Sequence, residues 1–335
     1  MPGWWEEVNK VVWPEMKSEI VITSGLPAAG KTSAIASYLE EGYTRLNRDS
    51  LGGTLEGIAQ KLEQFIKAAP ESYRGRYILD NTYPTKVSRA RVIEVGKKYN
   101  VPVKCLRLQT SIEDAQFNAA TRMVRKYGRL LDNDEIKAQN KQDPNCFPIG
   151  VLFQYRKNFE EPSTEEGFSE VVGIPFVRQN PAGYANKALF LDYDGTLRNT
   201  KSGNKYPVSI DDIEINSRCR PVIQKYSDAG YRLLGVSNQS GIAKGILTEA
   251  TAHSLFKETN RQLDLDIEYS FCPHQSNPIV CYCRKPCAGR AVEFIEKYKL
   301  DRSQCIMVGD LTSDRTFASR AGFEFYDAEE FFKNE

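Results

Sequence analysis

The sequence predicts an α/β protein of two parallel-sheet, three-layer domains in tandem, and three observations carry that expectation. Short apolar runs alternate with helical patterns throughout: EIVITSG, RYILDNT and VPVKCLRLQ early, then ALFLDYDG, RLLGVSN and QCIMVGD. Alternation of this kind marks βαβ units. The aperiodic stretch IPFVRQNPAGYANK (174–187) places a boundary near residue 180, giving domains 1–180 and 181–335. Each half also carries a phosphate-type motif just after its first strand, where open α/β sheets bind ligands.

Composition agrees. A chain of 335 residues has room for two domains. Its 41% hydrophobic and 27% charged content fits a soluble globular protein. No apolar run is long enough to cross a bilayer, and MPGWWEEVNKVVWPEM lacks the apolar core of a secretory signal. Four of the eight cysteines crowd into residues 272–287 beside a histidine. That clustering points to metal rather than disulfides, and to a reducing intracellular compartment, cytoplasmic or nuclear. Net charge is +1, but eleven Lys/Arg face three acids between Lys86 and Arg129. Such a run is either a polyanion-binding face or, more commonly, a solvated helix surface.

In the first half, Gly25, Gly30, Lys31 and Thr32 fit G-x-x-x-x-G-K-[ST], with Ser33 next in the run. The motif follows the strand IVIT and precedes the helical SAIASYLEE, the context it requires. Its glycines let backbone N–H groups point at the β- and γ-phosphates of ATP; Lys31 adds a cation and Thr32 reaches Mg²⁺. Phosphoryl transfer also needs a proton acceptor and further cations. Asp49 ends the next strand, Asp80 with Asn81 ends another as substrate or metal-water contacts, and Arg122 and Arg125 share a helical face. Taken singly, an aspartate at a strand end is more often a cap.

Together, GLPAAGKTS, GYTRLNRDSLG, LDNTYPTKVSRAR and YRKNFEEPSTEEGFSEVVGIPF resemble the P-loop kinase domain of polynucleotide kinase-phosphatases over about residues 20–178. They look mammalian-type more than phage-type. The resemblance implies Lys31 and Thr32 on the phosphates and Mg²⁺, Asp49 as base for a 5′-hydroxyl, and Arg122, with Arg125, as lid arginines. Gly52 stands where the phage branch has an arginine, and RLLDNDEIKAQNKQDPNCFP (129–148) is longer than the family needs and is unassigned.

In the second half, ALFLDYDGTL sets Asp192 and Asp194 two apart at a strand end, so both carboxylates face one side. Such a pair requires a cation or a proton between its members. Three motifs follow in order: LLGVSNQSG with Ser237, CRKP with Lys285, and IMVGDLTSD with Asp310 and Asp314. This set resembles the haloacid dehalogenase superfamily over residues 186–332. The resemblance implies Asp192 as covalent nucleophile and Asp194 as acid and then base. It also implies Ser237 and Lys285 on the phosphoryl oxygens, and Mg²⁺ on Asp192, Asp310 and the Asp194 carbonyl with Asp314 behind. Asn238 and Arg198 are read as substrate-side residues.

Cys272, His274, Cys281 and Cys283 are spaced C-x-H-x₆-C-x-C, a closed structural Zn²⁺ set. Cys287 is read as a non-ligand, and Cys105, Cys146, Cys219 and Cys305 as buried thiols. The zinc loop resembles the histidinol-phosphate and heptose-bisphosphate phosphatase branch. Too few residues separate Asp194 from Ser237 for a large cap, so the site admits a bulky substrate. The expectation is a 5′-kinase joined to a 3′-phosphatase that heals DNA or RNA strand ends, with a separate ligase as a further candidate partner. The alternatives are a metabolic kinase/phosphatase acting on sugar or histidinol-type phosphomonoesters, and an end-binding module with decayed catalysis.

Overall fold

The structure, a computed structural model, describes residues 17–333, so the N-terminal stretch MPGWWEEVNKVVWPEM lies outside the described residues. Contacts divide the chain into two units: residues 1–110 with 155–176, and residues 111–154 with 177–335. No helix among the described residues is long and apolar enough to cross a membrane.

The first unit holds β1 (Glu19–Ser24), β2 (Thr44–Leu46), β3 (Arg76–Leu79), β4 (Val103–Leu108) and β5 (Glu170–Ile174). They form one parallel sheet in the order β2-β3-β1-β4-β5. A parallel sheet is covered on both faces, so its strands read as continuous apolar runs. β1 shows the consequence. Ile20 and Ile22 join Leu79, Val103 and the helix residues Ile58, Leu62, Val92 and Val95 on one side. Val21 turns to the other side with Ile78, Leu106 and Ile35. The edge strand TRL is the one expected ahead of Asp49, and the half-buried edge strand EVVGI adds a fifth that the apolar runs did not indicate.

The basic run resolves into ion pairs. Arg89 is fully buried and grips both carboxylate oxygens of Glu166 at 2.8 Å. Arg91 and Lys98 share Glu63. Lys104, Arg107, Arg125, Lys126 and Arg129 meet Glu170, Glu161, Glu296, Asp143 and Glu135. Most of these cations are therefore compensated locally, which favours the solvated-surface reading over an open polyanion face.

The second unit holds β6 (Asn186–Leu191), β7 (Arg198–Thr200), β8 (Ile213–Ile215), β9 (Arg232–Asn238), β10 (Glu268–Cys272), β11 (Leu300–Gly309) and β12 (Glu324–Asp327). Five of them form a parallel sheet in the order β10-β9-β6-β11-β12, and β7 pairs antiparallel with β8 in a small hairpin. That hairpin and one helix, Cys219–Asp228, are what separate Asp194 from β9 among the described residues, in keeping with an uncapped site. Leu189 and Leu191 pack to one side of β6, while Phe190 stacks on Phe323 at 4.6 Å on the other.

The boundary proposed near residue 180 lies close to the parting at 176/177, but residues 111–154 pack with the second unit. The Ile112–Tyr127 helix buries Ala115, Gln116, Ala119, Ala120 and Met123. Arg125 clasps Glu296 with two bonds of 2.9 and 3.0 Å. Leu130 N–H donates to Glu293 at 2.9 Å, and Tyr282 O–H donates to the Phe147 carbonyl at 3.0 Å. The unassigned stretch 129–148 contains a helix, Asn133–Asn140, whose N-terminus is closed by a reciprocal Asp132–Glu135 capping box.

Candidate active sites

The first site grows from the loop leaving β1. Ala28 (φ 61°) and Gly30 (φ 86°) take left-handed backbone, which turns successive N–H groups inward. Gly25 is constrained sterically, since a Cβ there would stand 2.8 Å from Leu108 Cβ. Thr110 Oγ1 donates to the Ala29 carbonyl at 2.8 Å and pins the loop. Lys31 Nζ donates to the Leu26 carbonyl at 2.8 Å, folding over the loop, and Thr32 and Ser33 are exposed.

Asp49 follows β2 and is exposed. It lies in the first turn of the short helix Arg48–Leu51, capped by Asn47, whose Oδ1 accepts from Asp49 N–H at 2.7 Å and Ser50 N–H at 3.3 Å. Asn47 Nδ2 donates to the Asp80 carbonyl at 2.5 Å. Asp80 itself is buried and paired with Arg45 at 2.5 Å. Asn81 Oδ1 accepts from Arg48 N–H at 2.9 Å. Of the two residues expected as substrate contacts, Asp80 meets Asn47 through its backbone carbonyl while its carboxylate pairs with Arg45, and the Asn81 side chain holds the Arg48 N–H. β1 and β2 flank β3, so the Lys31 loop and the Asp49 helix leave strands about 10 Å apart on the same edge of the sheet. Arg122 and Arg125 lie on the Ile112–Tyr127 helix in the second unit. Arg122 donates to Asn145 Oδ1 at 3.3 Å, and the Arg125 fork is engaged by Glu296.

The second site is a packed charge cluster. Asp192, at the end of β6, is 5% exposed and meets Lys285 Nζ at 2.6 Å. Lys285 also donates to the Val236 carbonyl at 2.7 Å and lies 2.6 Å from Asp314 Oδ1. Burial pushes the Asp192 carboxyl up, with Lys285 opposing and Asp314 and Asp194 adding to the rise. Burial works against the Lys285 ammonium, but Asp192 and Asp314 outweigh it and leave its pKa raised. Burial likewise raises Asp310, with Asp314 adding.

Gly195 shows how tightly the loop is drawn, for at φ 90° a Cβ would fall 2.3 Å from Asp310 Oδ2. One oxygen each of Asp192, Asp310 and Asp314 lies within 4.8 Å of the others. Asp314 is fully buried, with Oδ1 against the Lys285 ammonium at 2.6 Å and Oδ2 accepting from Leu311 N–H at 3.1 Å. Three carboxylates converging within 4.8 Å, all oxygen donors, fit a hard divalent cation such as Mg²⁺. Asp314, expected behind the metal set, stands within this cluster.

Ser237, at the end of β9, is buried and accepts from Gln239 Nε2 at 3.0 Å. Asn238 and Arg198, read as substrate-side residues, have other partners. Asn238 exchanges two bonds of 3.0 Å with the Lys285 backbone. Arg198 is buried, with Nε donating to Asp194 Oδ1 at 2.8 Å. Gln239 Nε2 donates to the other Asp194 oxygen at 2.8 Å; the sequence reading missed it, although it sits two residues past Ser237.

Close by in the chain, Cys272 Sγ lies 3.5 Å from His274 Nδ1 and 3.7 Å from Cys281 Sγ, and Cys283 Sγ lies 3.3 Å from His274 Nδ1. A tetrahedron with metal–sulfur bonds of about 2.3 Å has edges of about 3.7 Å. The four side chains are therefore spaced as ligands of one ion, and soft sulfur and imidazole donors fit Zn²⁺.

Comparison with known proteins follows this division. A family model described as polynucleotide kinase 3 phosphatase matches residues 187–332. Its span covers Asp192, Ser237, the cysteine–histidine set, Lys285, Asp310 and Asp314. Residues 187–332 are thus a domain of the polynucleotide kinase 3 phosphatase type. Ahead of it, an AAA domain model matches residues 20–160, so the chain joins a P-loop kinase domain to a phosphatase domain. These domain types imply use of a nucleotide and Mg²⁺.

A D-glycero-α-D-manno-heptose-1,7-bisphosphate 7-phosphatase of Photorhabdus laumondii is 36% identical over 146 residues, 41% of this chain and 78% of that protein. The bifunctional polynucleotide phosphatase/kinase of Schizosaccharomyces pombe is 30% identical over 161 residues, 47% of this chain but 34% of that protein. The chain thus spans about a third of that relative's length. A chain in the structure of the Pnkp1/Rnl/Hen1 RNA repair complex aligns over 93% of this chain and 95% of its own, at 17% identity and a TM-score of 0.29.

Proposed function

We propose that this protein heals nucleic-acid ends, phosphorylating 5′-hydroxyls with ATP and removing 3′-phosphates through an aspartyl-phosphate. The observation that carries the reading is the coexistence in one chain of a P-loop with a strand-end aspartate and a buried Asp192–Lys285–Asp314 cluster. Strand breaks with 5′-hydroxyl and 3′-phosphate ends need both conversions before sealing, which gives the pairing a purpose. The S. pombe relative is named for both activities.

In the kinase half, Lys31 leaves the Leu26 carbonyl for the phosphates, Thr32 lies beside it, and Asp49 takes the proton of the attacking hydroxyl. In the phosphatase half, Mg²⁺ bound among Asp192, Asp310 and Asp314 would supply charge neutralisation at the phosphoryl oxygens. Asp192 then attacks phosphorus, Asp194 protonates the leaving oxygen, and Ser237 and Lys285 hold the phosphoryl group. Cys272, His274, Cys281 and Cys283 hold Zn²⁺ as a structural ion beside the Lys285 loop. The eight unpaired cysteines suit a reducing compartment.

A second reading, hydrolysis of a small phosphomonoester, is favoured by the heptose-bisphosphate phosphatase relative, which matches the chain over most of its own length. One assay separates the two. Supplied with ATP, the enzyme is expected to label a 5′-hydroxyl oligonucleotide and, separately, to release phosphate from a 3′-phosphate oligonucleotide, DNA and RNA being run in parallel. Turnover of heptose bisphosphate or histidinol phosphate with neither oligonucleotide reacting would reject the end-healing reading.

A further inference from the structure

Arg198 is 1% exposed and lies four residues beyond Asp194. A buried guanidinium is costly unless a carboxylate compensates it and its N–H groups are bonded. Nη1 donates to the Leu255 carbonyl and to Thr259 Oγ1, each at 2.8 Å. The cation also lies 5.0 Å from the Phe256 ring centre and 5.4 Å from that of Tyr193. The backbone brings the pair together: Gly195 N–H donates to the Arg198 carbonyl at 2.8 Å, and Arg198 N–H to the Tyr193 carbonyl at 3.0 Å. A guanidinium anchored this way presents Nε to Asp194 and has no freedom to reach a substrate. Gln239 meets the opposite oxygen of the same carboxylate, and its amide also touches Ser237.

We infer that Arg198 and Gln239 form a two-point clamp that aims Asp194 for proton transfer, with Arg198 a positioning residue and not a substrate ligand. The inference rests on the reading of Asp192 as nucleophile and Asp194 as acid and base. In the first half-reaction an Asp192 oxygen bonds to phosphorus. The bond to the leaving oxygen breaks, and that oxygen keeps the electron pair and takes the Asp194 proton. In the second half-reaction a water oxygen bonds to phosphorus and Asp194 takes its proton. The acyl-phosphate bond breaks, freeing phosphate and the Asp192 carboxylate. Both transfers require the Asp194 oxygens to stay within hydrogen-bond reach of an atom in line with phosphorus. A carboxylate held at one oxygen can still swing; held at both, it cannot. The clamp also confines the transferable proton to the lone pairs that Arg198 and Gln239 leave unused.

The test uses the full-length protein and two esters. 4-Nitrophenyl phosphate has a leaving group that departs without a proton, whereas a 3′-phosphate oligonucleotide must release an alkoxide. Arg198→Met is expected to lower kcat on the oligonucleotide about 100-fold with KM within about threefold. With the nitrophenyl ester, the pre-steady-state burst should keep the wild-type rate while turnover slows, so that hydroxylamine-trappable aspartyl-phosphate accumulates. Arg198→Lys should recover part of the loss. A rise in KM with kcat unchanged, an equal loss in burst and turnover, or wild-type kinetics would each overturn the clamp. If both Arg198 variants fail to fold, Gln239→Met is held to the same criteria with a loss of about 10-fold, and wild-type behaviour there overturns it equally. Asp192→Asn separates the premises. Retained turnover in that variant rejects the nucleophile itself, whereas a dead Asp192→Asn beside normal Arg198 and Gln239 variants rejects the clamp alone.

Discussion

Asp192 and Asp49 both follow the carboxyl end of a strand in a parallel sheet, yet their surroundings differ sharply. Asp192 is 5% exposed and locked to a buried lysine, whereas Asp49 is exposed on the first turn of a short helix whose start is held by Asn47, the Asp80 carbonyl and Asn81. The contrast follows from the chemistry each residue is proposed to perform. A carboxylate that must attack phosphorus gains from being stripped of water and fixed against a cation. A carboxylate that accepts a proton from an incoming hydroxyl needs access first and acquires its dry environment when the substrate arrives. One site is finished before binding and the other is completed by it.

The largest effect that tests this contrast is a double dissociation. Asp192→Asn should remove phosphatase turnover by at least roughly a thousandfold and leave kinase activity within about twofold, and Asp49→Ala should do the reverse. Loss of both activities from either substitution, in protein with an unchanged melting temperature, would erase the distinction.

An intermediate effect concerns the finished site, whose Lys285 follows the Cys272–His274–Cys281–Cys283 set by two residues. Stripping zinc with a chelator, or replacing Cys283 by serine, should lower the melting temperature by at least about 5 °C and release one equivalent of Zn²⁺ by metal analysis. An unchanged transition with no zinc released would remove the metal from the account.

The smallest effect is electrostatic and belongs to the first unit. Hydrogen bonds from Lys98 and Tyr99 hold the Glu63 carboxyl below its ordinary value of 4.5, against the opposing effect of burial. A depressed carboxylate stabilises the fold above its unfolded pKa and loses that contribution as pH falls through the folded value. Wild-type melting temperature should therefore drop as pH falls below 4.5, and Glu63→Gln should flatten that drop. Parallel profiles for the two proteins would show that the pairs with Arg91 and Lys98 contribute nothing.

Much of this was legible in the sequence wherever chemistry fixes spacing along the chain. The G-x-x-x-x-G-K-T loop, the paired aspartates and the cluster of Cys272, His274, Cys281 and Cys283 are local patterns, and each falls at a strand end or loop as expected. The two parallel sheets were equally readable in the strands long enough to be apolar throughout. What escaped depends on contacts between distant residues. Asn47 and Asp80 are 33 residues apart, and nothing in either stretch announces that the Asp80 carbonyl would hold Asn47 while its carboxylate pairs with Arg45. Arg198 lay near a catalytic motif and was read as facing the ligand. Its burial follows from the Leu255–Thr259 turn of the Glu249–Leu263 helix, 57 residues or more along the chain. Gln239 went unnoticed because one amide among polar neighbours carries no periodic signal.

The Ile112–Tyr127 helix falls inside the span that matches the AAA domain, but its buried face is satisfied by the Gly289–Tyr298 helix and its flanks. Dividing the gene near residue 180 would strand that helix on a fragment lacking its apolar cover, and would leave the Gly289–Tyr298 surface bare on the other. The structural unit carrying the Gly289–Tyr298 helix therefore borrows chain from inside the stretch that matches the AAA domain, so a cut near residue 180 falls beside the fold's own seam along the sequence but not around residues 111–154.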